Sequence, residues 1–293
     1  MMKNELPRLG RLMASLEQYD LPHRTIVLDT GSDDGSEEFF RGRPNTEVFI
    51  TEWDGFGPCR TKLMALAHQK ADWLLCLDCD DTLVVPDPSK LLAFLASTKS
   101  LYLGVASVYP DIRFYLPRLV SGRTYEPWKF VGRAHEYMAN TDRMECTELL
   151  HIVHKGDGHG ATDRLGRNLA LLLDDARENP KNGRTAFYIG NTYSEMGKAK
   201  EAVKWYDKRL MIGGWDEETY CCMLYRARNL GSFADLMLAY KFRPTRAEAL
   251  YSAINLLTQR GDPTNKLPDL RRVHAGIKKP YDKLFVETAA YAS

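Results

Sequence analysis

Two strand-like runs in the first third of the chain each end directly in a cluster of aspartates, and this recurrence limits the fold more than any other feature. Thr25 to Thr30 (TIVLDT) leads into Asp29-Thr30-Gly31-Ser32-Asp33-Asp34-Gly35-Ser36. Trp73 to Asp78 (WLLCLD) leads into Asp78-Cys79-Asp80-Asp81. A third run of strand composition, Glu47 to Glu52, lies between them. Pro58 to Lys70 then has helical periodicity, with Leu63, Met64, Ala67 and Ala71 on one face. Strand, helix, strand in this order predicts a parallel sheet with crossover helices. In such sheets ligands gather beyond the carboxyl ends of the strands, where Asp29 and Asp78 stand. The stretch from Leu103 to His154 predicts several further strands with polar turns, as at the edge of a mixed sheet.

The pattern changes at about Arg164. Arg164 to Glu178, Arg184 to Met196, Lys200 to Ile212, Glu217 to Leu230, Phe233 to Lys241 and Ala247 to Gln259 all read as helices. Gly197 recurs as Gly231 and Tyr206 as Tyr240, at the tetratricopeptide period of about 34 residues. Ile189, Gly190, Tyr193, Ala202 and Tyr206 stand where such repeats place small and large packing residues. Tyr188, Tyr193 and Trp205 are therefore expected to pack between helices rather than form a binding stripe. The expected organisation is an α/β domain over residues 1–160 and an all-α, tetratricopeptide-like domain over 161–293. Stacked helix pairs of this kind offer a concave face to a protein partner or to a second copy.

Charge narrows the ligand class. Lys and Arg (40) nearly cancel Asp and Glu (39), so no global field points to nucleic acid or anionic lipid. A charged ligand must be held by a local site. No apolar run approaches the roughly 20 residues that span a bilayer, and Met-Met-Lys-Asn-Glu is not a signal peptide, so a cytoplasmic address is expected. Of the six cysteines, Cys76 and Cys79 form a C-x-x-C inside a strand-like run. Residues three apart on a strand point to opposite faces, which favours structural thiols over a redox or zinc pair. Cys221 and Cys222 fall in a helical pattern.

The aspartates carry the chemistry. Several carboxylates packed at one strand end repel one another unless a cation sits between them. Oxygen ligands of this kind suit Mg²⁺ or Mn²⁺, which can also grip a diphosphate. If the chain stays extended, Asp78 and Asp80 share a side. A helix N-cap or turn cluster is the competing reading of either acidic loop, and the second loop is what makes that reading strained.

At this point the chain resembles a family. Asp29 to Ser36 is similar to the D-x-G-S-x-D-G-T signature of family 2 glycosyltransferases, and Trp73 to Asp81 to their D-x-D strand. Lys3-Asn4-Glu5 resembles their K-N-E, Trp53 to Phe56 with Arg60 their W-x-x-F-x-x-x-R-N, and Gly132 to Glu136 their G-x-x-H-E. His154-Lys155-Gly156 resembles a later H-x-G, and Arg167-Asn168 through Gly190 resembles members with a fused tetratricopeptide domain. The resemblance implies a GT-A (Rossmann-like) domain and inverting, metal-dependent transfer of a sugar, a hexose by expectation. The donor would be a nucleotide-diphosphate sugar, with a UDP-sugar favoured, and the acceptor a saccharide, lipid or protein. It implies that Asp29, Gly31, Ser32, Asp34, Arg60 and Asp78 serve the nucleotide sugar, and that Asp78, Asp80 and His154 hold Mn²⁺ or Mg²⁺. Glu136 becomes the candidate base that deprotonates the acceptor, with Asp81 or Asp111 next in line. Arg118 and Arg133, with Arg60, would offset diphosphate charge.

The chain departs from the pattern in three places. Only Met1 and Met2 precede the K-N-E, where the family has a strand, so a shortened chain or a smaller sheet is expected. Thr61 replaces the Asn after Arg60, and the stretch after Ser36 is short for a crossover helix. Two other readings compete: a degenerate transferase domain serving as scaffold for the helical repeats, and a nucleotidyltransferase. The first is opposed by the presence of Asp78, Asp80 and Glu136, the second by the lack of a Gly-rich phosphate loop.

Overall fold

The structure is a computed structural model and describes residues 1–109, 112–141, 144–156, 164–280 and 285–291. It divides into two compact units, Met1–Thr162 and Asp163–Ser293.

In the first unit, α1 (Leu6–Glu17) carries Pro7 in its first turn and buries Leu9, Leu12 and Met13 along one stripe. Strand β1 (Thr25–Asp29) follows, then α2 (Ser36–Arg41) and β2 (Thr46–Ile50). β1 and β2 pair in parallel, from Thr25 opposite Thr46 to Asp29 opposite Ile50. Six residues of helix are enough for this crossover because the two strands are immediate neighbours. Glu37 and Glu38 in the first turn of α2 and Arg41 in its last match the helix dipole. After α3 (Phe56–Ala67) comes β3 (Trp73–Leu75).

Here the expectation of one parallel sheet needs correction. β3 does not join β1 and β2. It lies at the edge of a second, five-stranded sheet with order β3-β6-β5-β9-β4, formed with β4 (Asp81–Val84), β5 (Tyr102–Val108), β6 (Arg113–Ser121) and β9 (Glu145–His154). All its pairs are antiparallel except β5 with β9. On the inner side of β1, among the described residues, only Met2 makes a ladder step, a parallel bridge to Asp29. The remaining space is an apolar cavity of about 280 Å³ whose walls include Met13, Ile26, Met64 and Leu75. Backbone groups cannot hydrogen-bond across it, so the two sheets stay separate. α4 (Pro88–Ser97), capped by Asp87 through Lys90 N, precedes β5. β7 (Phe130–Val131) and β8 (Tyr137–Met138) form a two-rung ladder of their own. The core beneath the larger sheet is Leu83, Val105, Leu119, Leu150 and Ile152.

The second unit is a succession of helices, each packed on the next: α5 (Arg164–Glu178), α6 (Gly183–Glu195), α7 (Ala199–Ile212), α8 (Asp216–Leu230), α9 (Phe233–Phe242), α10 (Glu248–Arg260) and α11 (Leu267–Ala275). Asn182 caps α6 and Ser232 caps α9 through side-chain bonds to Thr185 N and Asp235 N. The recurring glycines end their helices in the left-handed region, Gly197 at φ 71° and Gly231 at φ 59°. Gly190 is small because the Tyr206 ring lies against it; a Cβ there would come within 2.6 Å of the ring. Tyr188 and Tyr193 pack on a core of Phe187, Tyr206, Tyr220 and Leu224. Trp205 lies outside that cluster, half-buried beneath the Lys208 ammonium at 4.6 Å. α11 was not among the helices expected from the sequence, and it buries no residue. Among the described residues, no helix is long and apolar enough to cross a membrane.

Candidate active site

The first acidic loop is built around its own backbone. Asp29 ends β1 buried, and its Oδ1 accepts hydrogen bonds from Ser32 N (3.1 Å) and Ser32 Oγ (2.7 Å). Gly31 turns the chain at φ 96°, where L side chains are strained. Asp34 takes Ser36 N at 2.9 Å and Ser36 Oγ at 2.5 Å on one oxygen, and Leu6 N at 3.0 Å on the other. It thus satisfies donors at the starts of both α1 and α2. Desolvation opposes ionisation of Asp34, but the hydrogen bonds from Ser36 and Leu6 hold its carboxyl below the ordinary value. The Lys3-Asn4-Glu5 stretch is laced onto the same loop: Asn4 N donates to Ser32 Oγ, Asn4 Nδ2 to Asp33 and Glu5 N to Ser36 Oγ. The two sequence motifs are therefore one structural knot. Asp34, assigned above to the nucleoside, has both oxygens engaged in it.

The second acidic loop does not stay extended. β3 stops at Leu75, and Asp81 N turns back to Asp78 O while Asp78 N donates to Asp81 Oδ2 at 2.8 Å. This corrects the geometry expected of Asp78 and Asp80. The turn draws Asp80 and Asp81 together with His154 instead. Pairing explains why: β4 begins at Asp81, β9 ends at His154, and the two residues are direct partners in the antiparallel ladder. His154 Nδ1 lies 2.9 Å from Asp81 Oδ1, and its Nε2 lies 3.3 Å from Asp80 Oδ2. One ligand atom from each of the three lies within 4.8 Å of the others, a grouping that suits a cation. The hydrogen bond to Asp81 and the nearby acids raise the His154 pKa, whereas burial raises that of Asp80. The Tyr109 ring covers the His154 imidazole at 4.8 Å.

Asp78 faces another way. Its Oδ1 receives Arg60 Nη2 at 2.5 Å and its Oδ2 receives Arg118 Nη1 at 3.0 Å. Burial works against its charge, yet the two guanidiniums, Arg60 before Arg118, hold its carboxyl well below the usual range. Arg60 also donates from Nε to Glu136 Oε1 at 2.7 Å. Glu136 lies between the two short strands, in a turn entered through Gly132 at φ 93° and His135 at φ 53°. His135 and Glu136 therefore do not alternate across a strand. The turn is seated on α3: Phe56 N donates to Arg133 O at 2.7 Å, and a Cβ on Gly57 would meet Gly132 O at 2.0 Å. Trp53 packs edge-on against Phe56, and Thr61 Oγ1 accepts from Phe130 N at 2.9 Å, so the residue that departs from the family pattern holds β7 in place.

Four carboxylates (Asp78, Asp80, Asp81, Glu136) and two guanidiniums (Arg60, Arg118) therefore form one chain of contacts that runs from Glu136 to Asp81 and on through His154 to Asp80. Met1 and Met2 connect this group to the first loop, because Thr30 N donates to Met2 O and Cys79 Sγ lies 3.8 Å from Met1 O. Two members were undervalued from sequence. Asp81 is fully buried and central, and its signal was the third acid of Asp78-Cys79-Asp80-Asp81. Arg118 was seen as a diphosphate contact but is paired with Asp78. His151 lies three residues back on β9, opposite Val84, away from the acids. Asp111 and His159 lie outside the described residues.

The chain is 24% identical over 242 residues to a TPR repeat-containing protein of Synechococcus elongatus, which covers 72% of this chain and 55% of that protein. It therefore spans about half the length of this curated relative. Among solved structures, S. aureus TarS (residues 1–349) matches over 90% of this chain and 91% of its own, at 13% identity and a TM-score of 0.41. A crystal structure of MamA matches over 39% of this chain and 68% of its own, at 16% identity and a TM-score of 0.34. The family model for glycosyl transferase family 2 matches residues 1–151, more than half of the chain, and takes in both acidic loops, Arg60, Arg118 and Glu136. On that match this chain belongs to glycosyl transferase family 2.

Proposed function

We propose that the first unit transfers a sugar, a hexose by expectation, from a nucleoside-diphosphate donor to an acceptor hydroxyl with inversion, using a divalent cation. The observation that carries the reading is the grouping of Asp80, Asp81 and His154 within 4.8 Å, joined through Arg118, Asp78 and Arg60 to the Glu136 carboxylate. Four carboxylates against two guanidiniums leave two negative charges when His154 is neutral, which is what one Mn²⁺ or Mg²⁺ neutralises. Two carboxylate oxygens and one imidazole are a donor set such cations accept. Bound there, the cation would supply positive charge to a leaving diphosphate.

The chain's own residues do the rest. Glu136 takes the proton of the acceptor hydroxyl as that oxygen bonds to the anomeric carbon, while the bond from that carbon to the diphosphate oxygen breaks. Asp29 and Ser32, at the end of β1 beside Gly31, are the groups proposed to face the nucleoside. Asp78 is proposed as an anchor for Arg60 and Arg118 rather than as a metal ligand, because each of its oxygens already receives a guanidinium. UDP is the favoured nucleotide, the acceptor is a saccharide, lipid or protein, and the cytoplasm is the proposed compartment. We assign donor transfer to residues 1–160 and partner contact or self-association to residues 161–293.

The test is calorimetry with UDP and GDP in Mn²⁺ or in excess chelator, followed by a hydrolysis screen over nucleotide sugars. Binding that needs the cation and is lost in Asp80→Ala supports the reading. Equal affinity with and without chelator removes the cation from the site. If neither nucleotide binds and no donor is hydrolysed, the scaffold reading, with the helical unit as the working part, replaces this one.

A further inference from the structure

Arg60 was expected to neutralise diphosphate, yet its contacts assign it different work. Its Nε and Nη2 donate along one edge of the guanidinium to two carboxylates on different segments, Glu136 at 2.7 Å and Asp78 at 2.5 Å. We infer that Arg60 is a positioning residue that fixes Glu136 for proton transfer and does not bind the donor. This inference rests on the transferase reading above and deepens it.

Three observations support it. Glu136 sits in a turn whose flanking strands are two residues each, too short to hold a carboxylate to the fraction of an ångström that proton transfer requires. Arg60 stands on α3, a twelve-residue helix against which the same turn is already seated through Phe56 and Gly57. Asp78, the second partner, is itself braced by Arg118. The helix thus presents a planar, rigid fork to the one carboxylate of the group that lies on a weakly supported turn.

Asp78 also resolves an electrostatic difficulty. A guanidinium paired with Glu136 alone would lose its counter-charge once that carboxylate accepted a proton. With Asp78 on the same edge, Arg60 keeps a partner of opposite charge after Glu136 has been neutralised. Proton transfer then strands no buried cation.

The experiment compares Arg60→Gln, Arg60→Lys, Glu136→Gln and the Arg60→Gln/Glu136→Gln pair, using whichever UDP- or GDP-sugar the full chain hydrolyses with Mn²⁺. Arg60→Gln should lower kcat by about 10²-fold and leave the Kd for UDP with Mn²⁺ within about threefold, since misplacement of a reacting group costs turnover rather than binding. Added guanidinium ion should restore part of the lost kcat in Arg60→Gln, which a merely misfolded variant would not show. In the Glu136→Gln background the Arg60 change should cost nothing further. A Kd for UDP weakened tenfold at unchanged kcat would make Arg60 a donor contact and overturn the inference. So would unchanged turnover in Arg60→Gln, or a cost that adds in full to that of Glu136→Gln. Normal turnover in Glu136→Gln would instead sink the choice of base, and with it the role of Arg60. No hydrolysis of any donor by the unmodified chain would sink the transferase reading from which both follow.

Discussion

Asp81 and Glu136 show what single residues contribute. Asp81 is fully buried, accepts the Asp78 amide and pairs with His154, so it joins the turn to the ladder. Asp81→Asn keeps the volume but removes a charge, and should weaken Mn²⁺ affinity at least about tenfold. It should also cost about 1–3 kcal/mol of stability through a strained acceptor; titration calorimetry and thermal melts measure the two separately. Glu136→Gln should slow donor turnover by about 10²–10⁴-fold while UDP still binds, since the amide is nearly isosteric and cannot take the proton. Retained turnover in that variant, with loss in His135→Ala, would move the base to the histidine. Residue identity was largely legible in the sequence, because aspartates after strands and a Glu after Gly132 are conspicuous. Their partners were not. That Asp78 spends both oxygens on Arg60 and Arg118 depends on side chains 18 and 40 positions away.

Elements were legible wherever burial writes a period. β1, β2, α3 and the helices α5 to α10 announced themselves by composition and apolar spacing, but of the single parallel sheet expected of β1, β2 and β3 the structure keeps only the pairing of β1 with β2. The reading failed where pattern and pairing part company. WLLCLD has strand composition throughout, but β3 ends at Leu75 because the turn formed by Asp78 and Asp81 takes over. Glycines at close approaches provide tests of the packing. In Gly190→Ala the new Cβ would press on Tyr206, which is buried and bonded to Asn191 at 2.9 Å. We expect about 1–3 kcal/mol of destabilisation, seen as a lower Tm with unchanged UDP binding. Gly57→Ala should do the reverse. Its Cβ would collide with Gly132 O, displace the Glu136 turn, and depress turnover more than stability.

At the scale of the whole chain, two units of different construction follow one another, and the helical one carries a pH sensitivity of its own. The helical unit is held by a buried network in which Arg246 pairs with Glu217 and Glu248, and Tyr220 and Tyr291 donate to Glu248. Burial opposes the Glu248 charge, but the hydrogen bond from Arg246 holds its carboxyl below the ordinary value. Stability from this group is therefore fully present above the unfolded pKa of about 4.3, and is lost as pH falls through the lower folded value. Thermal melts from pH 7 to 3 should show this loss, and Glu248→Gln should flatten it while costing about 3 kcal/mol at pH 7. A Glu248→Gln variant as acid-sensitive as the parent would locate the effect elsewhere. The sequence by itself determined an α/β unit followed by helices, and the acids that gather at strand ends, because apolar periodicity and composition are local properties of the chain. Only the tertiary structure decided that the strands form separate sheets, that Asp80 and Asp81 meet His154, and that Arg60 joins Asp78 to Glu136. The reason is physical: ladder register, cavities and ion pairs are set between segments distant in sequence, and nothing in local spacing records which partner each edge or charge will meet.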